Sequence, residues 1–117
     1  MRPKKRLLLY CSDEDQAERI GFVLWTCGYK VDRAPRDDAH MRDGFGRRAD
    51  LVLVVAATAT PVRAIAQWAE GTPVVAWTRG EPVDTSGWTA QEVVRDGSVA
   101  ALLDAVRRHV ARRKAAA

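Results

Sequence analysis

Four short runs of consecutive apolar residues constrain the fold of this chain more than any other feature. They are rich in β-branched residues and occupy residues 7–10, 51–57, 74–77 and 93–94, with a weaker apolar alternation around residues 29–31. Strands that are apolar on both faces are typical of a parallel sheet whose two sides are covered by helices. The sequence therefore predicts one parallel sheet of five strands.

Segments with helical spacing separate these strands. The first carries a capping signal, because Ser12 is followed three residues later by Asp15, and Gly28 is typical of a helix end. Its expected buried stripe consists of Ala17, Ile20, Val23, Leu24 and Cys27. Ser98 is the predicted N-cap of the last segment. The apolar stripe of that segment consists of Val99, Leu102, Leu103, Val106 and Val110.

Two further helices are expected between the first and the last. Thr60 and Pro61 are typical of an N-cap and a first helical turn, and Gly71 of the end of that helix. A shorter helix is expected at residues 37–42, before Gly44. Strands and helices then alternate along the chain, which predicts right-handed crossovers and helices on both faces of the sheet.

The length of 117 residues and the apolar content of 47% fit one domain over residues 1–117. No apolar run approaches the roughly 20 residues of a membrane span, and the run at residues 7–10 is too short for a signal peptide. The first helix holds Cys11 and Cys27 too far apart for a disulfide. We therefore expect two free thiols, that of Cys11 buried and structural, in a cytoplasmic protein.

In their order and content, these segments resemble the receiver domain of bacterial response regulators, from Arg6 to the region of Arg112. The resemblance is carried by the sequence GYKV at residues 28–31, DLVL at 50–53, PVVAWT at 73–78, and the stripe of the last segment. It implies a flavodoxin-like, three-layer α/β/α sandwich with a five-stranded parallel sheet in the order 2-1-3-4-5. In such sheets the functional site lies at the carboxyl ends of the strands.

Receiver domains accept a phosphoryl group from a histidine kinase on an aspartate that ends strand three, with Mg²⁺ held by acidic residues after strand one. The resemblance places Val55 at the acceptor position, and Cys11 and Ser12 at the acidic positions. Valine carries no nucleophile, and a thiol and a hydroxyl do not form the carboxylate-rich ligand set that suits Mg²⁺. Thr78 keeps the family's threonine after strand four, whereas Arg95 replaces its lysine after strand five.

The segment between Thr78 and Arg95 is shorter than in the family and contains Pro82 and two glycines. These residues disfavour a regular helix, so we expect the fourth helix to be short or missing. The acceptor site and this segment thus depart from the family pattern separately. Together they predict a pseudo-receiver.

Phe22 and Trp25 lie outside the apolar stripe of the first helix. Large apolar side chains at such positions can belong to an interface, and receiver domains dock phosphotransfer partners near this helix. We expect both side chains to be at least partly exposed. A partner protein or a second copy of the chain would cover them.

Basic residues form three groups, at residues 2–6, 47–48 and 107–114, and the predicted topology brings them to the pole opposite the degenerate site. A basic pole can meet nucleic acid. Basic residues at a helix end also complement the helix dipole, and the chain offers no recognition helix or interleaved aromatics. A solvated face is the simpler interpretation.

The sequence therefore predicts a phosphorylation-independent protein-interaction module of two-component signalling. We expect no enzymatic activity, no cofactor, no bound metal, and neither nucleic acid nor membrane as a partner. One alternative is a working phosphoacceptor receiver that uses Asp13 or Glu14 as displaced metal ligands; another is a small nucleic-acid-binding protein that uses the basic pole. His109 carries no clear signal.

Overall fold

The computed structural model of the protein describes residues 5–11, 13–33, 49–55, 65, 72–79, 85, 88 and 90–116, with the backbone alone beyond residue 110. The strands of this part are β1 (Arg6–Cys11), β2 (Lys30–Arg33), β3 (Leu51–Val55), β4 (Val74–Trp77) and β5 (Glu92–Val94). Its long helices are α1 (Glu14–Thr26) and α2 (Val99–Ala116). Neither helix combines the length and the apolar character that crossing a membrane requires.

Several predicted features lie outside the described residues. They include Ser12, the helix at residues 37–42 with Gly44, and the two earlier basic groups apart from Lys5 and Arg6. Of the helix predicted between Thr60 and Gly71, only Ile65 is described, with a helical backbone and a fully buried side chain. Most of the segment in which we expected a short or missing fourth helix is likewise outside the described part.

The five strands form one parallel sheet in the order β2-β1-β3-β4-β5, as predicted. The register places Leu7 opposite Leu51, Leu53 opposite Val75, and Ala76 opposite Val93. β4 has the predicted bounds, and the ends of β1, β2 and β5 differ from the prediction by one or two residues. The flavodoxin-like arrangement of the sheet is therefore confirmed.

The central strands β3 and β4 are buried on both faces of the sheet, which explains their continuous apolar runs. Alternate residues of each strand point to opposite sides and contribute to different clusters. The first cluster joins α1 and α2 to the strand residues Leu7, Leu9, Cys11, Leu51, Leu53, Val55, Val75, Trp77 and Val94. The second contains Val52, Val54, Ile65, Val74, Ala76 and Trp88. Each fully buried leucine or valine contributes about 1.5–3 kcal/mol to folding.

The N-cap of α1 is Asp13, so the prediction of Ser12 as the cap is wrong. The Asp13 carboxylate accepts hydrogen bonds from the backbone N–H groups of Asp15 (3.0 Å) and Gln16 (3.3 Å). β1 continues through Cys11, one residue further than expected, and the helix begins correspondingly later. An aspartate in this position also has the charge that a helix N-terminus favours.

α1 ends at the glycine that the sequence indicated. Gly28 has φ of +95°, its N–H donates to the carbonyl of Trp25 (3.0 Å), and the Tyr29 N–H donates to the carbonyl of Leu24 (3.1 Å). This pair of bonds is a Schellman motif, which needs a left-handed residue after the helix. The motif turns the chain directly from α1 into β2.

Gly28→Ala should lower the free energy of unfolding by about 1 kcal/mol, because the added Cβ disfavours the left-handed backbone. Gly21→Ala is the matched control within α1, where a Cβ would lie at an ordinary 3.9 Å from Val31 Cγ1. That change should stabilise the helix by up to about 1 kcal/mol. Urea denaturation of both variants measures the two effects. Equal effects of the same sign would contradict this account of the turn.

Each predicted helix stripe is correct except at one end. In α1 the residues Ala17, Ile20 and Leu24 are buried, but Cys27 is exposed because it follows the last helical turn. In α2 the first residue, Val99, is 42% exposed. The predicted N-cap Ser98 is confirmed, since its Oγ accepts from the backbone N–H of Ala101 (3.2 Å).

Candidate functional site

The carboxyl end of the sheet presents four apolar side chains in register. Cys11 pairs with Val55, Val55 with Trp77, and Trp77 with Val94. All four belong to the same buried cluster, and none is more than 6% exposed. We call these four residues the carboxyl-end row. At the edge where open α/β sheets place their sites, this protein has a packed apolar surface.

The Cys11 thiol is buried in the row, as we expected of a structural cysteine. Its Sγ donates a hydrogen bond to the backbone carbonyl of Asp13 at 3.4 Å. Both cysteines are free thiols, which is also as predicted. Among the described residues, no three His, Cys, Asp or Glu side chains come together as a metal site would require.

Asp13 and Glu14, the displaced metal ligands of the alternative interpretation, both make contacts with nearby protein groups. Asp13 caps α1 with its carboxylate. Glu14 Oε2 lies 3.1 Å from Arg33 Nη2, in an ion pair between the start of α1 and the end of β2. Because both groups of this pair are well exposed, the pair adds little to stability. It nevertheless places a guanidinium beside the carboxylate that a cation would need.

Thr78, which the resemblance aligns with the threonine that receiver domains have after strand four, lies directly after β4 and is 1% exposed. Its backbone N–H donates to the carbonyl of Val94 at 3.1 Å, and its hydroxyl lies 3.5 Å from the same oxygen. The distance of the hydroxyl is at the outer limit of a hydrogen bond, so the backbone contact is the stronger of the two. Thr78 is therefore held mainly by its backbone hydrogen bond to the end of the neighbouring strand β5.

Arg79 was not singled out from the sequence, although it directly follows Thr78. It has a left-handed backbone with φ of 61°, and its Nη1 donates to the Oε1 of Gln16 on α1. Positive φ in an arginine is uncommon and marks a position fixed by its surroundings. This contact ties the loop after β4 to the first helix across the carboxyl end of the sheet.

The loop after β5 has its own network. Arg95 is exposed directly after the strand. Asp96 Oδ1 accepts the backbone N–H of Ser98 at 2.8 Å, and hydrogen bonding from the Ser98 backbone and hydroxyl lowers the pKa of Asp96. The indole Nε1 of Trp77 donates to the Asp96 carbonyl, also at 2.8 Å. The carboxyl-end row is thus joined to the loop that precedes α2.

A second polar cluster lies on the edge strand β5, where sequence reasoning missed His109. The Oε1 of Glu92 lies 2.9 Å from His109 Nε2, and its Oε2 lies 2.5 Å from Arg108 Nη2. Partial burial raises the pKa of Glu92, but the hydrogen bonds and charges of His109 and Arg108 outweigh this effect and lower it. The missed signal was periodicity, because His109 continues the buried stripe of α2, three residues after Val106.

Phe22 and Trp25 are exposed, as predicted, by 64% and 57% respectively. They lie one turn apart on the outer face of α1, with ring centroids 6.1 Å apart and an interplanar angle of 35°. We call this pair the α1 aromatic patch. Their participation in an interface stays a prediction.

The described part of the basic pole is partly neutralised. Arg108 pairs with Glu92, and Arg107 lies 3.9 Å from Asp104 on the surface of α2. At the start of β1, the backbone N–H of Arg6 donates to Asp50 Oδ2 at 2.8 Å. These contacts fit a solvated face.

Solved structures with this fold include receiver domains. The signal receiver domain of an HD domain-containing protein from Pseudomonas fluorescens matches with a TM-score of 0.74 and 20% identity, covering 98% of this chain and 93% of that chain. Chemotaxis protein CheY4 of Vibrio cholerae matches with a TM-score of 0.68 and 16% identity, covering 91% and 98%. Response regulator TrrA of Thermotoga maritima, in complex with Mg²⁺ and BeF, matches with a TM-score of 0.68 and 19% identity. This match covers 90% of this chain and 98% of that chain. TrrA also matches in its complex with the histidine kinase ThkA.

No protein-family model matches the sequence. No curated protein matches it either. At these identities the structural likeness establishes the fold, which is the flavodoxin-like fold of receiver domains.

Proposed function

We propose that this chain is a signalling module of the receiver type that acts by binding another protein, without phosphorylation and without catalysis. The observation that carries the proposal is Val55 at the end of β3, buried between Cys11 and Trp77 in the sheet register. Phosphoryl transfer depends on positioning and on stabilising the charge of the transferred group. The carboxyl-end row offers neither a carboxylate nor a charge for this purpose, and its one thiol, that of Cys11, is buried and bonded to the Asp13 carbonyl.

The α1 aromatic patch is the proposed contact surface. Its two rings are the most exposed large apolar side chains of the described residues. Aromatic side chains are enriched in the energetically important parts of protein interfaces. The occurrence of TrrA in a complex with a histidine kinase supports a protein as the partner. The two free thiols fit a reducing compartment such as the cytoplasm.

Intact-protein mass spectrometry tests the absence of phosphorylation. After incubation with acetyl phosphate and Mg²⁺ at neutral pH, we expect the mass of the protein to remain unchanged. A receiver domain that is phosphorylated under the same conditions serves as the control for the reagent. An acid-stable, alkali-labile adduct of one phosphoryl group would contradict the proposal and favour the alternative with displaced acids.

Partner capture tests the contact surface. The intact domain, a Phe22→Ser/Trp25→Ser variant and a Val99→Ser control are used as baits, since Val99 is an exposed apolar residue on the other helix. We expect a protein that both the intact domain and the control retain and that the double variant loses by about tenfold or more. Sedimentation of the free domain shows whether a second copy of the chain, and not another protein, covers the patch. An affinity for oligonucleotides that falls steeply as the salt concentration rises would instead favour nucleic-acid binding by the basic pole.

A further inference from the structure

Trp77 makes a contact that the packing of an apolar row does not require. Its ring is 3% exposed and lies in the carboxyl-end row, while its indole Nε1 donates to the backbone carbonyl of Asp96, 19 residues further along the chain. The bond length of 2.8 Å is that of a well-formed hydrogen bond. One side chain therefore fills the end of the sheet and also holds the loop after β5.

The Asp96 loop is connected in turn to the start of α2. Asp96 Oδ1 accepts the Ser98 N–H at 2.8 Å, the Ser98 hydroxyl accepts the Ala101 N–H at 3.2 Å, and the Ser98 carbonyl accepts the Leu102 N–H at 3.3 Å. Through Asp96 and Ser98, these hydrogen bonds connect Trp77 with the first turn of α2. A displacement of the loop would have to break the bond to Trp77 or shift this turn.

We infer that Trp77 is a positioning residue that holds the loop at residues 95–98 and the first turn of α2 in one conformation. This inference goes beyond the proposed function, since the loop and this turn of α2 are not part of the α1 aromatic patch. Thr78 supports it, because its backbone N–H is already bonded to Val94 at the end of β5. Contacts of Trp77 and Thr78 within the folded chain therefore determine the position of the loop at residues 95–98.

A matched pair of buried tryptophans makes the role of the indole bond measurable. Trp88 is 8% exposed and packs in the second cluster, but within the described part of the chain its Nε1 has no hydrogen-bond partner. Trp77→Phe removes ring volume and a hydrogen bond, whereas Trp88→Phe removes ring volume and an N–H group that makes no hydrogen bond to the described residues. Any effect that is specific to the bond appears only in the first variant.

Amide hydrogen exchange, followed by NMR under native conditions, tests the inference. In Trp77→Phe we expect the amides of Ser98, Ala101 and Leu102 to exchange about tenfold faster than in the unaltered protein, relative to the Gly28 and Tyr29 amides of the α1 end. In Trp88→Phe the same ratio should stay unchanged. Equal changes in both variants, or no change in either, would overturn the inference.

If Trp77→Phe does not fold, the unaltered protein provides the measurement. The indole N–H of Trp77 should then exchange with the slow rate of a hydrogen-bonded group, and exchange within the dead time would overturn the inference. The outcome is independent of phosphorylation. A phosphoryl adduct in the mass spectrum contradicts the proposed function, whereas unprotected Ser98 and Ala101 amides contradict the role of Trp77.

Discussion

The Val55→Asp variant should lose about 4 kcal/mol of its free energy of unfolding at neutral pH. Val55 is 4% exposed, and its neighbours across the sheet are Cys11 and Trp77. The new carboxylate would have no cation beside it in the row, and the Cys11 S–H and Trp77 N–H groups already donate to other acceptors. The change also removes the apolar burial of a valine, worth about 1.5–3 kcal/mol. Urea denaturation at neutral pH measures the loss.

Val55→Asn separates charge from polarity, since asparagine has the shape of aspartate without its ionisation. Because burial disfavours the charged form, the aspartate variant should be nearly as stable as the asparagine variant below the ordinary aspartate pKa of about 3.9, and less stable as the pH rises. Added Mg²⁺ should not restore its stability. Equal stability of the two variants at neutral pH, or rescue by Mg²⁺, would show that the end of β3 accommodates a carboxylate.

Glu92→Ala should lower the free energy of unfolding by about 2 kcal/mol at neutral pH. The change removes the hydrogen-bond partner of His109, whose side chain is only 4% exposed, and the ion-pair partner of Arg108. An ionised carboxylate only accepts hydrogen bonds, so His109 Nε2 carries the hydrogen in this contact. Glu92, Arg108 and His109 together form a clamp that fixes α2 on the edge strand.

The contribution of Glu92 should depend on pH in a defined direction. Its pKa is lowered in the folded protein, so its stabilisation is fully present above the ordinary glutamate pKa of about 4.3 and is lost as the pH falls through the lower folded value. The difference between the unaltered protein and Glu92→Ala should therefore shrink in acid. Asp104→Ala, which removes an exposed pair with Arg107, is the control and should change stability by less than about 0.5 kcal/mol. A constant difference from neutral to acid pH would contradict the clamp.

Local sequence signals predicted most of the sheet. The runs around Leu53 and Val75 are buried on both faces, and Gly28 has the left-handed backbone that its place after the stripe of α1 indicated. These features depend on neighbours close in sequence. The strand order followed from the resemblance, which the sequence carried at Asp50 and Pro73 as well as in the helix stripe.

Contacts between distant residues could not be read from local patterns. Ser12 and Asp13 are both chemically suitable caps, and the choice between them depends on how far β1 pairs with β3, through Cys11 and Val55. Arg79 meets Gln16 only because the sheet brings the end of β4 beside α1. Glu92 and His109 likewise depend on the way that α2 packs on β5. Spacing within one element carries no signal for such pairs.

The carboxyl-end row also governs which amino-acid changes are open to this chain over evolutionary time. A site that binds a cation and accepts a phosphoryl group needs several carboxylates together, whereas substitutions arise one at a time. Each buried, unpaired carboxylate costs about 3–5 kcal/mol, and a domain of ordinary stability has about 5–15 kcal/mol in total. Single steps through Cys11 or Val55 therefore remove a large part of the stability of the domain. The packing of these four side chains therefore resists the introduction of a phosphoryl-accepting site by single substitutions.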